Sequence, residues 1–195
     1  MTKKSVILVA MMAILGVATA VAQPRAIGGQ IGNGITFSYE HALGNNFVTA
    51  DLSFPGWFIN GFGVEAVATY NWLNPFGADF PAVSQGDWNW YMGPGLAIGN
   101  IFDGYSYTVL GDKYLHVNNN FYLGAAGRFG VEYNFWFPLQ LSVEWRPVIG
   151  PDFWSESRLN VDDPYDIDNY SSSGVRFYHE GLYWSAFLLG VRYKF

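Results

Sequence analysis

Apolar and polar residues alternate with a period of two along most of this chain, the pattern of strands that bury one face. The last segment shows it best. Tyr183, Ser185, Phe187, Leu189, Val191, Tyr193 and Phe195 share one face, and Trp184, Ala186, Leu188, Gly190, Arg192 and Lys194 share the other. Residues 139–146 set Leu139, Leu141, Val143 and Trp145 against Gln140, Ser142, Glu144 and Arg146. Residues 121–135 set Phe121, Leu123, Val131 and Tyr133 against Tyr122, Gly124, Arg128 and Glu132. The same reading predicts strands over 88–99, 62–72, 46–54 and 35–41, and a short Gly-rich first strand over 25–31. The total is about eight. An even number puts both termini at one end of a meander. The connections 32–34, 55–60, 102–119 and 151–181 then lie at the far end, and 41–45, 73–87 and 135–138 at the end with the termini.

The first 22 residues read differently. Lys3 and Lys4 precede an apolar run from Val6 to Val17, followed by the small-x-small site Ala20-Val21-Ala22. That order is a secretory signal peptide, and the run is short against the ~20 apolar residues of a membrane-spanning helix. Cleavage after Ala22 is expected, giving a signal peptide 1–22 and a single domain 23–195. Loss of the two lysines takes the formal net charge from -6 to -8.

Composition decides which face of the strands points outward. Only 13% of residues are charged, while 19% are aromatic and 23 are glycine. A water-soluble exterior needs a denser mix of charges. The polar faces here are mostly small residues with scattered ions, which suits a crowded interior. Aromatics collect near predicted strand ends (Tyr39, Tyr70, Trp72, Trp88, Trp90, Tyr133, Trp145, Tyr193 and Phe195), as in the girdles at lipid–water interfaces. The expected fold is therefore all-β: a closed antiparallel transmembrane β-barrel of about eight strands. Nucleic acid is not an expected partner, because no basic patch is present to neutralise phosphates. Cysteine is absent, which removes disulfides and thiol chemistry.

The ending Gly190-Val191-Arg192-Tyr193-Lys194-Phe195 resembles the C-terminal assembly signal of outer-membrane barrels, with Gly190, Tyr193 and Phe195 in the matching places. The mature chain resembles the small eight-stranded outer-membrane β-barrel proteins of Gram-negative bacteria. Val131-Glu132-Tyr133-Asn134-Phe135 followed by Pro138-Leu139-Gln140-Leu141-Ser142 is similar to the strand-turn-strand found there. The resemblance implies an integral outer-membrane location, contact with lipid and lipopolysaccharide, and recognition by the barrel assembly machinery. It implies no single activity. A monomer without cofactor or metal is expected.

Candidate chemistry concentrates on the polar faces. Glu40, Asp51, Glu65, Glu132 and Glu144 are expected to meet Arg128, Arg146, Arg192 and Lys194 in an interior charge network, because charges taken from water must be paired. A narrow barrel is filled by its own side chains, so a plug is the expected outcome and a narrow pore the alternative. Asp162, Asp163, Asp166 and Asp168 form an acidic cluster in the last long connection, a candidate surface for ligand contacts, although its spacing lacks the glycine and distal glutamate of a calcium loop. His179-Glu180, with Ser171, Ser172, Ser173 and Ser185 nearby, is the one hint of an outer-leaflet lipid-modifying enzyme, but no serine stands at a fixed offset from a base. His41 and His116 make no metal-ligand spacing. The expected role is a non-enzymatic envelope scaffold or surface-binding protein that acts through its outer loops.

Overall fold

The computed structural model describes residues 24–56, 62–77, 85–109, 112–163, 165–166, 169–178, 182 and 186–195. They form ten strands: β1 (Pro24–Ile31), β2 (Gly34–Leu43), β3 (Asn46–Pro55), β4 (Phe62–Pro75), β5 (Gly86–Val109), β6 (Asp112–Phe135), β7 (Leu139–Trp145), β8 (Val148–Asn160), β9 (Tyr170–Tyr178) and β10 (Phe187–Lys194). All pairings are antiparallel and belong to one sheet. Eight strands close a ring in the order β1-β2-β3-β4-β5-β6-β7-β10, with β10 back on β1 through the register Gly28 to Arg192. The connections are tight where the chain allows it. Gly44, at φ 62°, turns β2 into β3 directly after the Leu43–Asn46 pair, a conformation that favours glycine.

The remaining two strands grow out of the ring. Pro147 has no N–H for the ladder and separates β7 from β8. The register to β6 is unchanged across this break: Trp145 faces Phe129 and Val148 faces Ala126. On the other side of the hairpin the register does shift. From Trp145 to Gly150 is five residues, while their partners Phe187 and Tyr178 are nine apart.

Two connections expected from the sequence are corrected. Most of 102–119 and 151–181 is strand, not loop. β5 and β6 each run for 24 residues and pair as far as Val109 with Asp112. β8 and β9 flank them, so four strands in the order β5-β6-β8-β9 project past the ring as an open extension. Alternation fades there because both faces of the extension are exposed in part, and burial contrast is what the period-two signal records. The expected connection 73–87 also shortens, since β4 continues to Pro75 and β5 begins at Gly86.

Within the ring the two faces are sharply divided. Large apolar side chains point outward, among them Phe37, Trp72, Leu96, Leu123, Val143, Leu189 and Val191. Polar and charged side chains point inward and are buried. Glycines make this interior possible where a large ring crosses to a neighbouring strand. Gly130 pairs with Tyr91, and Gly99 with Tyr122. A Cβ at Gly130 would lie 2.4 Å from the Tyr91 ring, and one at Gly99 2.3 Å from the Tyr122 ring.

This close approach is testable. Gly130→Ile must displace the fully buried Tyr91 from its edge contact with Phe47, at 5.1 Å between ring centroids. Overpacking of this kind costs about 1–3 kcal/mol. Gly77→Ala, with nothing near the new Cβ, should be neutral within about 0.5 kcal/mol. Denaturant midpoints followed by tryptophan fluorescence distinguish the two; equal midpoints would show that Tyr91 does not need the space.

Candidate functional site

The inward faces bring the predicted charges together as a column. Its order is Glu132, Arg25, Glu40, Arg192, Glu144, Arg128, Asp51, Arg146, Glu65, so that every guanidinium lies between two carboxylates. Arg192 sits 2.6 Å from Glu144 and 3.4 Å from Glu40. Arg128 bonds Glu144 at 2.5 Å and also pairs with Asp51. Arg146 lies 2.8 Å from both Asp51 and Glu65. Arg25 joins Glu40 to Glu132. The five side chains from Glu40 to Asp51 along this order (Glu40, Arg192, Glu144, Arg128 and Asp51) have no exposed surface.

 

Neutral donors close both ends of the column. Asn134 and Gln140 donate to Glu132 at 2.7 and 2.5 Å, with Asn89 at 3.3 Å. At the other end the Tyr122 hydroxyl donates to Glu65 at 2.6 Å. Ser38 and Ser142 accept further bonds from Arg192, and Ser53 accepts one from Arg146. Five carboxylates and four guanidiniums nearly cancel, so the interior holds many ions and little net charge.

The sequence reading and the column differ at two cations. Lys194 lies on the inward register of β10 but takes part in none of the ion pairs found among the described residues. Its place is taken by Arg25. By parity with the buried Ala26 and Gln30, Arg25 should face outward; an irregularity in the β1–β2 register between Pro24 and Ala26 turns it inward. It also lies over the Phe47 ring at 4.1 Å. The neighbouring proline was the available signal, since it cannot complete a ladder.

Gly190 and Tyr193, expected to form an assembly signal with Phe195, sit on the strand that closes the ring, and Phe195 directly follows it. Tyr193 and Phe195 point outward and meet edge to face at 5.3 Å. Gly190 points inward, where a Cβ would lie 2.3 Å from the Ser142 hydroxyl.

The acidic cluster is bonded to the start of β6 and to its own β8–β9 connection. Asp166 accepts from Tyr114 and Asn160, Asp162 from the Lys113 backbone, and Asp163 from the Tyr165 backbone. No metal-holding group occurs among the described residues. Asp168, His179, Glu180 and Ser185 lie outside the described residues. Ser171, Ser172 and Ser173 stand on β9 opposite Ser157, Glu156 and Ser155. His116, on β6, stacks on Tyr105 and bonds Glu156 at 2.8 Å. Hydrogen bonds from Tyr170 and His116 hold the Glu156 carboxyl below its ordinary range. His41 bonds the Tyr39 hydroxyl at 2.9 Å.

Removing one cation from the column strands two carboxylates. Arg192→Ala should cost about 3–5 kcal/mol, the usual penalty for breaking a buried pair. Lys113→Ala, which removes an exposed side chain that takes part in none of the ion pairs found among the described residues, should stay within about 0.5 kcal/mol. Unfolding midpoints of the purified variants check this, and similar losses would mean that the column contributes no more than an exposed surface charge. Comparison with protein-family models, curated proteins and solved structures found no match to this chain.

Proposed function

We propose that the ring is an outer-membrane β-barrel whose strands span the bilayer, and that the protein is a non-enzymatic envelope scaffold that presents the four-stranded extension at the cell surface. One observation carries this reading: the ring is polar inside and apolar outside. Soluble proteins show the reverse, and exposed apolar patches beyond a few hundred Å² mark an interaction surface. Here the apolar face runs through the ring strands, from Ile27 on β1 to Val191 on β10.

The dimensions agree with a bilayer. Trp72, Trp90 and Tyr193 stand toward the end with the termini, and Phe54, Phe62 and Phe102 toward the end with the extension. Twelve residues separate Trp90 from Phe102 on β5, about 40 Å along a strand. At the ~45° tilt usual for membrane strands this is about 28 Å of height, close to the ~25 Å apolar band of such barrels. The signal-like leader and the aromatic ending of β10 support export and recognition by the barrel assembly machinery. In the proposed orientation the termini face the periplasm, lipid and lipopolysaccharide cover the ring, and the charge column blocks ion flow.

The absence of cysteine makes the test clean. Single cysteines at Leu52, Leu96 and Leu189, spin-labelled in reconstituted vesicles, should be relaxed by oxygen and protected from a water-soluble nickel chelate. A label at Ser173 on the extension should show the opposite preference. If nickel reaches the three ring positions as readily as Ser173, the membrane reading fails.

A further inference from the structure

Where the ring meets the extension, its interior opens into a cavity of about 130 Å³. Glu65 and Arg146 supply the charged part of its polar side, beside Asn33, Thr36 and Ser53, and the Tyr122 hydroxyl bonds Glu65. Ile101, Val148 and Leu188 supply apolar walls. Apart from Arg25 at the far end, Glu65 and Arg146 are the column members that keep accessible surface, with side chains 10% and 6% exposed. The column therefore shows one ion pair to this space.

We propose that the cavity binds a small uncharged ligand: one six-membered ring, or an aliphatic group of that size, bearing a hydroxyl or carboxamide. Size sets the body of the ligand, because an apolar cavity of roughly 150 Å³ accommodates benzene. Charge sets its head. Glu65 and Arg146 lie 2.8 Å apart, so a head group that touches one is beside the other. A carboxylate would meet Arg146 but be repelled by Glu65, and an ammonium would meet Glu65 but be repelled by Arg146. A hydroxyl donates to the carboxylate and accepts from the guanidinium at once. Arg146 directs three bonds to Asp51, Ser53 and Glu65, out of the five N–H groups of a guanidinium. The site does not depend on whether the ring spans a membrane.

The test uses the full mature chain in detergent, with labelled isoleucine, valine and leucine methyl groups followed by NMR. The probes are 4-fluorobenzyl alcohol, 4-fluorobenzoate and 4-fluorobenzylammonium. The alcohol should shift the Ile101, Val148 and Leu188 methyls saturably and bind at least about tenfold more tightly than either ion. Val148→Phe, which fills the cavity, should abolish those shifts. Glu65→Gln should strengthen benzoate binding about tenfold by removing the repelling carboxylate. The proposal is overturned if no probe shifts the cavity methyls, if either ion binds wild type as tightly as the alcohol, or if Val148→Phe binds unchanged. Shifts confined to outward methyls such as Leu96 and Leu189 also count against it, since they report partition into detergent. If Glu65→Gln does not fold, the wild-type probe series and Val148→Phe decide the matter.

Discussion

The alternation of carboxylate and guanidinium along the inside of the ring is the constraint on which the rest of the structure depends. An isolated buried ion is too costly to keep. A guanidinium between two carboxylates has its charge compensated, and serine hydroxyls accept further bonds from Arg192 and Arg146. The column draws on β1, β2, β3, β4, β6, β7 and β10, and the pairs Arg25–Glu132, Arg128–Asp51 and Arg192–Glu40 join strands that are not neighbours in the sheet. It therefore holds the ring closed from within, as an apolar core holds a soluble barrel.

An interior of this kind leaves the apolar residues nowhere to go but outward. The same strands that bury Glu144 and Arg192 expose Val143 and Val191. A medium that accepts that surface is then required, and the proposed bilayer supplies it. The glycines belong to the same logic. Gly130 and Gly99 clear the space in which Tyr91 and Tyr122 lie across the interior, so that large rings and long charged side chains fill a narrow ring together.

Much of this was legible in the chain. The period-two pattern placed the eight ring strands and their polar faces, and so named Glu40, Asp51, Glu65, Glu132, Glu144, Arg128, Arg146 and Arg192. It failed where parity or burial contrast fails. Arg25 escaped because a bulge beside Pro24 reverses its face, and Lys194 was included because parity alone does not say where the column ends. The extension escaped because both faces of its strands are exposed in part, so its polar and apolar positions differ little in burial. The cavity depends on the junction of ring and extension and has no signature in local sequence.

The most direct test of the account is ion conductance of the purified protein in a planar bilayer. A ring closed by paired charges predicts a baseline without steady current at either polarity. Stable, stepwise channels that persist at constant voltage would contradict it, because ions cannot pass an interior filled by this column.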